Sequence, residues 1–427
     1  MRLLWFTSLP TIVNKQLRIE KKYAGVTWVA TLEQELKKLE KFELAVGFIN
    51  NNYKDVTRMD VDGISYFNIP SSSTRLGRWY RRAFHRIETR EEVKHYLEVI
   101  QDFKPDLIHI FGTENAFGEI IGQTGVPVII QIQGILTAIL SKWYAAFTPC
   151  ELLKYASLSS ILNATTYNHV YAIKRKKSVR EQSILSSARY ILGKTEWDRS
   201  VVRVLAPQAQ YFQYDNMMRE PFYSTRWNPG TESAINLLSV INQETYKGLD
   251  MIFNTAAILR SRNIQFSWKI IGISEKDELC RIMIRKSHTR PSDLHLVLMG
   301  KQNAETIAGE MANASMFVHP SYIDNSPNSV SEAMLVGTPV VAANIGGIRS
   351  LVDDKESAML VQEGDALDLA AQILFLYEHK EIRIRMGEKA HETAMKRHDR
   401  NRVIRNLLEV YNAVIDHHNR HVNNNNV

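Results

Sequence analysis

Two carboxylates in the second half of the chain have the spacing of a ligand-binding pair. Asp324 lies in a polar segment that contains Pro327, and Glu332 stands eight positions later in an amphipathic run. Carboxylates accept hydrogen bonds from hydroxyl groups, and in dinucleotide-binding folds one of them holds the ribose hydroxyls. The pair is therefore able to hold two ends of one nucleotide sugar, with Glu332 on the ribose and Asp324 on the sugar.

The stretch between these acids also predicts an anion site. A short apolar run ends at His319, and Asn328 or Ser329 is a favourable N-cap for the helix that carries Glu332. The first amides of a helix have no partner within it, and open α/β sheets bind ligands just beyond the carboxyl ends of their strands. The predicted binding residues are Asn325, Ser326, Pro327, Asn328, Ser329 and Val330.

Short apolar runs alternate with longer amphipathic stretches in both halves, a pattern typical of parallel strands joined by crossover helices. The predicted strands are 2–7, 42–48, 63–69, 107–111, 126–131, 190–193, 236–240, 268–272, 294–299, 316–319 and 339–342. The predicted helices include 26–39, 90–103, 248–261, 303–313, 330–336, 366–378, 382–396 and 401–416. The fold class is therefore α/β, with a doubly wound, Rossmann-like domain in each half.

A break between the halves is predicted at residues 220–232, which contain two prolines and one glycine and lack periodicity. We expect an N-terminal domain over residues 1–222, a C-terminal domain over 230–400 and a terminal helix over 401–421.

Composition excludes several classes of protein. The chain has 427 residues, of which 44% are hydrophobic and 23% charged, and only two are cysteines. These values are those of globular proteins and exclude a disordered chain, a collagen or a disulfide scaffold. Residues 1–215 hold 29 Lys and Arg against 21 Asp and Glu, whereas residues 216–427 hold 24 against 25. The first half is thus the one suited to anionic partners.

The acidic segment resembles a known family signature. Asp324, seven intervening residues, Glu332-Ala-Met, Gly337-x-Pro-Val-Val-Ala and then Gly-Gly resemble the donor site of the retaining family-4 glycosyltransferases. The resemblance implies the glycosyltransferase-B fold, in which two Rossmann-like domains face a cleft and the terminal helix crosses back to the first domain. Asp324 replaces the usual first Glu of the pattern, which keeps the charge and shortens its reach.

Other segments of the second half resemble the same family in the same order. In SVINQETYKGLD, Lys247 fits the family's phosphate-binding lysine, while Asn242 stands near the position of the usual arginine. The resemblance implies a catalytic role for Asp324 and Lys247, and further donor contacts from Gly272, Gly300 and Lys301.

In the first half the resemblance implies an acceptor or phosphate loop at Gly25, Val26 and Thr27, where only one of the family's glycines remains. His109 and Gln133 fall at the ends of two strands that wall the acceptor side in the family. His109 is predicted to be catalytic, with a core histidine as the alternative. An amide such as Gln133 positions a sugar hydroxyl but takes no proton.

These features predict an enzyme that moves a sugar from a UDP- or GDP-type nucleotide sugar to a glycan or lipid-linked acceptor, with retention of configuration, in bacterial surface polysaccharide synthesis. The alternatives are a sugar-nucleotide 2-epimerase of the same fold and a degenerate, non-catalytic sugar-nucleotide-binding protein. No cofactor and no metal are expected, since the family leaves the diphosphate to cationic side chains and helix amides.

Residues 75–86 mix five arginines with Trp79, Tyr80 and Phe84. Such stretches lie either in solvent or on anionic membranes. No apolar run reaches the ~18 residues of a membrane span. We therefore expect a cytoplasmic protein with peripheral contact to the inner face of the cell membrane. Nucleic acid is not an expected partner, because no binding motif accompanies the charge.

Overall fold

The computed structural model describes residues 1–8, 27–50, 52–70, 75–87, 90–230 and 234–425. The chain divides into two compact units. Unit 1 comprises Met1–Thr137, Ala172–Met217 and His398–Val427, and unit 2 comprises Ala138–Tyr171 and Met218–Arg397. Residues 138–171, expected in the N-terminal domain, thus belong to unit 2, and the boundary expected at 222 lies between Met217 and Met218.

The strands of unit 1 are β1 (Arg2–Thr7), β2 (Glu43–Ile49), β3 (Thr57–Val61), β4 (Ile64–Ile69), β5 (Leu107–Phe111), β6 (Val128–Gln131), β7 (Tyr190–Gly193) and β8 (Gln210–Gln213). They form one eight-stranded sheet in the order β3-β4-β2-β1-β5-β6-β7-β8. Among these described pairs only β3 and β4 run antiparallel, joined by a tight turn at Asp62 and Gly63, which both have positive φ. The carboxyl ends of β1, β5, β6 and β7 therefore meet at one edge.

The strands of unit 2 are β9 (Ile235–Val240), β10 (Phe266–Ile271), β11 (Leu296–Gly300), β12 (Met316–His319), β13 (Val340–Ala343) and β14 (Met359–Val361). They pair in the order β11-β10-β9-β12-β13-β14, and every described pair is parallel. The order reverses between β9 and β12, which places a crevice for ligands at the carboxyl ends of those two strands.

Helices connect and cover both sheets. In chain order they are α1 (Trp28–Lys37), α2 (Arg75–Ala83), α3 (Arg90–Phe103), α4 (Leu136–Ser141), α5 (Pro149–Lys154), α6 (Leu158–Leu162), α7 (Tyr167–Ser187), α8 (Glu196–Leu205), α9 (Glu220–Ser224), α10 (Leu249–Ser261), α11 (Glu278–Ser287), α12 (Ala304–Asn313), α13 (Asn328–Val336), α14 (Ala366–Glu378), α15 (Lys380–Arg397) and α16 (Arg400–Asn425). Within the described ranges, no helix is long and apolar enough to cross a bilayer.

Unit 1 has two hydrophobic cores. One joins α1 to side chains of β1, β2 and β5, and the last helix, α16, completes it with Val403, Leu407, Val410, Tyr411 and Val414. The other packs α3 against Leu4, Phe6 and Ile108. Covering a parallel sheet by helices in this way is what its continuous apolar strands require.

The stretch predicted to be a linker is part of unit 2. Phe222 of α9 is fully buried, the Trp227 amide donates to the Val336 carbonyl at 2.8 Å, and the Trp227 indole donates to the Ala314 carbonyl at 2.7 Å. Proline and glycine mark an irregular backbone, but here the Phe222 side chain and the hydrogen bonds of Trp227 fix the stretch to the domain.

Candidate functional site

The candidate site of unit 2 lies at the carboxyl ends of β9 and β12. After β12, residues 320–327 form a loop, and α13 begins at Asn328 with Pro327 as its N-cap. After β9, a 3-10 turn over Thr245–Lys247 leads into α10. Both segments carry the residues that the sequence singled out, and both reach the crevice predicted by the strand order.

Lys247 and Asp324 are brought together in an ion pair. The Lys247 Nζ donates to the Asp324 Oδ2 at 2.5 Å, and the His319 Nε2 lies 3.5 Å from the same oxygen. Burial alone would raise the pKa of Asp324, but the charge of Lys247 and the contact with His319 outweigh it and hold this pKa well below its usual range. The carboxyl group is therefore ionised at neutral pH.

Two glycines allow this close approach. Gly248 has φ of +79°, and a side chain there would begin 2.2 Å from the Pro320 carbonyl oxygen. Gly346 has φ of +45°, and a side chain there would begin 1.9 Å from the carbonyl oxygen of Asp324. The left-handed conformation and the lack of space both require glycine. The Gly-Gly of the sequence signature thus supports the backbone that carries Asp324.

Glu332 forms a second ion pair, with Arg219. The Arg219 guanidinium donates to the Glu332 Oε1 through Nε at 2.9 Å and a terminal nitrogen at 2.7 Å, and it lies over the Phe222 ring at 4.8 Å. Burial raises the pKa of Glu332, and Arg219 opposes that rise. Sequence reasoning missed Arg219, which stands one residue before the predicted linker.

The loop and the helix follow β12 as predicted, but the N-cap of α13 is Pro327 rather than Asn328 or Ser329, and no side chain caps the helix. The Asn325 amide donates to the Asp324 Oδ1 at 3.1 Å, and the Val330 amide donates to the Pro327 carbonyl at 3.1 Å. Asn328 and Ser329 are half-buried at the first turn of α13. A helix start beside a lysine is suited to a phosphate group.

The three remaining residues predicted to bind the donor lie at the carboxyl ends of β10 and β11. Gly272 follows β10, Gly300 ends β11 and Lys301 follows it. Gly272 has φ of +97°, and a side chain there would begin 2.0 Å from the Ile241 carbonyl oxygen. Its amide donates to the Gly300 carbonyl at 2.7 Å, and Lys301 is exposed. Asn242, at the family's arginine position, accepts a hydrogen bond from the Glu244 amide at 3.0 Å and so shapes the turn rather than supplying a cation.

The structure does not support His109 as a catalytic residue. Its exposed fraction is 0%, its Nδ1 lies 2.7 Å from the Tyr411 hydroxyl, and its ring stacks on Phe111 at 4.1 Å. Burial lowers the pKa of His109 to about 3. The side chain is a neutral core residue beneath α16, because that helix covers the face of β5 from which it projects.

The other site residues predicted in unit 1 are Gly25, Val26, Thr27 and Gln133. Gly25 and Val26 lie outside the described residues. Thr27 is the N-cap of α1, and its hydroxyl accepts from the Ala30 amide at 3.2 Å. Gln133 lies beyond the carboxyl end of β6 and accepts a hydrogen bond from the Lys194 Nζ at 3.2 Å. Lys194 was not among the predicted site residues, since this contact joins residues 61 positions apart.

In the part of the chain that the structure describes, no group of three or more His, Cys, Asp or Glu is arranged to hold a metal ion. The described site instead offers two cations, two carboxylates and the amides of a helix start. Cations and amides bind phosphate oxygens, and carboxylates bind sugar hydroxyls.

The residues of the candidate site in unit 2, except Arg219, lie in a region that matches a known family model. Residues 234–379 match the family model of glycosyl transferases, group 1. The amylovoran biosynthesis glycosyltransferase AmsK of Erwinia amylovora is 27% identical over 187 residues, which cover 42% of this chain and 45% of that protein. The putative colanic acid biosynthesis glycosyltransferase WcaL of Salmonella typhimurium is 27% identical over 145 residues. The chain spans less than half the length of the first curated relatives that it matches.

Solved structures match over nearly the whole chain. The sucrose-phosphate synthase of Thermosynechococcus elongatus has a TM-score of 0.69 at 13% identity, and covers 97% of this chain and 99% of that one. Anabaena HepE in complex with UDP has a TM-score of 0.62 at 15% identity, and covers 97% and 100%. At these identities the likeness concerns the fold alone. The prediction of an α/β protein with two Rossmann-like domains of glycosyltransferase-B type is confirmed.

Proposed function

We propose that this chain is a retaining glycosyltransferase that moves a sugar from a UDP- or GDP-type nucleotide sugar to a glycan or lipid-linked acceptor. The observation that carries the proposal is the Lys247–Asp324 pair, 2.5 Å apart at the start of α13, inside the region that matches the glycosyltransferase family model. A cation, a carboxylate and the start of a helix at one point are what a sugar diphosphate needs.

In the proposed mechanism, the donor diphosphate binds at the start of α13 and takes Lys247 as its partner in place of Asp324. Breaking the bond between the anomeric carbon and the phosphate oxygen places negative charge on the diphosphate. Lys247 and the helix amides stabilise that charge more strongly in the transition state than in the ground state, which raises kcat. Asp324, released from Lys247, accepts hydrogen bonds from sugar hydroxyls.

Glu332 is assigned to the ribose hydroxyls and Arg219 to holding Glu332. Burial raises the pKa of Glu332, and the adjacent guanidinium opposes that rise and orients the carboxyl group. Arg219 is also a cation at this site, where Asn242 supplies none.

The proton of the acceptor hydroxyl passes to the departing phosphate oxygen in this scheme. The acceptor oxygen forms its bond to the anomeric carbon on the face from which the diphosphate leaves, so configuration is retained. Burial of His109 supports this assignment, because a histidine with an exposed fraction of 0% contacts no substrate. Gln133, at the edge of the unit 1 sheet, is assigned to the acceptor.

The names of the relatives support a role in surface polysaccharide synthesis, since two of them are assigned to amylovoran and colanic acid biosynthesis. Anabaena HepE was crystallised in complex with UDP, which supports a uridine nucleotide as the first donor to test. The donor class and the acceptor class are both part of the proposal.

The deciding experiment is incubation with a panel of UDP- and GDP-sugars, with and without glycan or lipid-linked acceptors, followed by product analysis by mass spectrometry and NMR. We expect sugar transfer with the anomeric configuration of the donor. Epimerised sugar in the absence of acceptor, or donor binding with neither transfer nor hydrolysis, contradicts the proposal.

The proposed mechanism uses no metal ion. We expect kcat to stay within about twofold after EDTA treatment and dialysis, because the charge on the diphosphate is met by Lys247 and amides. Loss of activity that Mg²⁺ or Mn²⁺ restores contradicts this part of the scheme.

We also propose peripheral contact of unit 1 with the inner face of the cell membrane, through α2. Leu76, Trp79 and Phe84 are exposed on or beside this arginine-rich helix, a combination suited to an anionic interface. We expect salt-sensitive sedimentation with anionic vesicles, weakened when Arg78, Arg81 and Arg82 are replaced by Gln. Binding that ignores both salt and lipid charge assigns the helix to solvent. A cytoplasmic location remains a prediction tied to this contact.

A further inference from the structure

His319, the last residue of β12, is a buried polar side chain without an ordinary hydrogen bond. Its exposed fraction is 2%, and among the described residues neither ring nitrogen has a hydrogen-bond partner. Its Nε2 lies 3.5 Å from the Asp324 Oδ2, which is longer than an ordinary hydrogen bond. Buried polar groups are nearly always hydrogen-bonded, so the position of this imidazole needs an explanation.

The ion pair of Lys247 with Asp324 explains why the imidazole stands back. The Lys247 Nζ donates to the Asp324 Oδ2 at 2.5 Å, and this is the same oxygen that faces His319. A protonated imidazole would bring a second positive charge to an oxygen that an ammonium group already neutralises. Lysine and histidine therefore compete for one carboxylate oxygen, and the lysine holds it in this structure.

The ion pair can open while the backbone around it stays in place. The Tyr322 amide donates to the Tyr246 carbonyl at 2.8 Å, and the Tyr322 hydroxyl donates to the Asp250 Oδ2 at 2.5 Å. These bonds join the loop after β12 to the turn after β9 and to α10 without using Lys247 or Asp324. The flexible lysine side chain can therefore leave the carboxylate without moving the loop.

The other charged groups around β12 have partners of their own. The flanking strands β9 and β13 contain no charged residue. Asp250, at the start of α10, accepts the hydrogen bond described above, and Glu332, on α13, is paired with a guanidinium. Lys247 and His319 are the two side chains that lower the pKa of Asp324. A change at the lysine should therefore be felt directly at the histidine.

We propose that His319 becomes the charged partner of Asp324 when the donor diphosphate draws Lys247 away, and that the imidazole takes up one proton from solvent in this exchange. The diphosphate adds negative charge at the site and Asp324 loses its cation, so both changes favour an imidazolium. The Nε2–H then donates to the Asp324 Oδ2. The carboxylate thus keeps a charged partner while it accepts from the sugar hydroxyls.

His319 is a positioning residue in this scheme, because it acts on the sugar through Asp324. The role of the diphosphate rests on the proposed function. The competition of Lys247 and His319 for one carboxylate oxygen does not, so it can be tested without any ligand.

Lys247→Met is the ligand-free test. Methionine removes the charge and keeps much of the length of the side chain, so the variant reproduces the loss of the lysine from Asp324. We expect the titration midpoint of His319, followed by NMR of histidine-labelled protein, to rise by about one pH unit or more relative to the wild type. His319→Gln assigns the resonance. The matched control is Lys269→Met, which opens the 2.6 Å pair with Glu310 in the same sheet and should leave the midpoint unchanged.

Calorimetry on the wild type tests the exchange on binding. The probe is UDP-glucose, because its diphosphate has no group that titrates near neutral pH. Binding heats in buffers of low and high ionisation enthalpy then report the protons that the protein takes up. We expect an uptake of about half a proton or more at pH 7.5, and an affinity that falls as the pH rises from 6 to 8. His319→Gln should show little uptake and a level affinity.

Two results overturn the proposal. An unchanged midpoint of His319 in folded Lys247→Met makes the histidine a structural residue of β12. UDP-glucose binding without proton uptake, at equal affinity at every pH, shows that the diphosphate leaves the ion pair closed. Thermal unfolding checks that each variant is folded, and the calorimetry decides if Lys247→Met is not. If UDP-glucose does not bind, the result counts against the proposed donor, and the titration decides the inference.

Discussion

The two sheets of the molecule differ in the partners and the charge of the polar side chains that they carry. In unit 2, Asp324 is ionised beside Lys247, and Glu332 is paired with Arg219, which opposes the rise of its pKa by burial. In unit 1, His109 is neutral in the core, and Gln133 meets Lys194 as an uncharged acceptor. Similar strand topology thus carries two arrangements: in unit 2 cations lie against carboxylates, and in unit 1 the Lys194 ammonium donates to the uncharged amide of Gln133.

The ion pairs of unit 2 also explain how charged side chains tolerate burial at this edge. A mostly buried lysine or carboxylate without a partner is costly, and each here has one. When a ligand with both phosphate and hydroxyl groups binds, the phosphate becomes the partner of the cations and the hydroxyl groups become the partners of the carboxylates. No buried charge is then left without a partner.

The largest loss of activity is expected from Lys247→Ala, which changes the carboxyl edge of the unit 2 sheet. Removing the cation that faces the leaving diphosphate should lower kcat by ~10²-fold or more, with a smaller change in donor KM. The matched control is Lys269→Ala, which breaks the 2.6 Å ion pair of Lys269 with Glu310 in the same sheet. Steady-state kinetics with the best donor of the panel measures both. Full activity in Lys247→Ala contradicts the mechanism.

The second prediction uses the neutral histidine of unit 1. The pKa of His109 falls from its ordinary value of 6.5 to about 3 in the folded protein. Below pH 6.5 the unfolded chain therefore binds a proton that the folded chain does not, and stability falls as the pH is lowered towards about 3. This group alone should reduce the free energy of unfolding by about 2 kcal/mol between pH 7 and pH 5.

His109→Asn removes that titration while an amide remains available to Tyr411. Urea unfolding at pH 7, 6 and 5 should show a steeper loss of stability in the wild type than in the variant, and comparing the two cancels groups common to both. Equal pH dependence places His109 in contact with water and contradicts its assignment to the core.

A third and smaller effect is expected from Glu332→Gln. An amide keeps hydrogen bonding but loses the charge that accepts from two ribose hydroxyls, so donor KM should rise about tenfold with kcat changed by less than about twofold. The control is Asp215→Asn in unit 1, where the Asp215 Oδ2 lies 3.3 Å from Arg402. A fall in kcat without a change in KM assigns Glu332 to chemistry instead.

The smallest change in kinetics is expected at the carboxyl edge of the unit 1 sheet, where Gln133 lies. Gln133→Ala removes one uncharged hydrogen-bonding group, so acceptor KM should rise about threefold while donor KM stays the same. Gln123→Ala is the control, since the Gln123 amide only donates to the Glu119 carbonyl on an exposed turn. A change in donor KM in Gln133→Ala shows that the two edges are not divided in this way.

Much of the architecture was predictable because buried parallel strands are continuous apolar runs. The predicted bounds of β1, β5, β7 and β12 are those of the structure. The short strands β3, β8 and β14 were missed, as were the helices α5 and α6, because three to six residues give no readable period. The predicted linker failed because Phe222 is buried there and Trp227 is hydrogen-bonded to the Val336 and Ala314 carbonyls.

The site was predictable only where its residues are close in sequence. The eight-residue spacing of Asp324 and Glu332 is visible in the chain, whereas the contact of Arg219 with Glu332 joins residues 113 positions apart. His109 is the middle residue of the strand 107–111, in the prediction and in the structure alike. Its burial depends on Tyr411, 302 positions later, which no local pattern reports.

The packing of α16 on unit 1 has a consequence for how the protein is made. Residues 138–171 and 218–397 of unit 2 are all synthesised before Val403, Leu407 and Tyr411 emerge to complete the core of unit 1. Domains fold as units during synthesis, so unit 2 can fold first while Trp28 and its neighbours on unit 1 stay uncovered. A nascent or truncated chain that stops before residue 400 therefore has a folded unit 2 and a unit 1 whose incomplete core is prone to aggregation, and chaperones have most to protect at that stage.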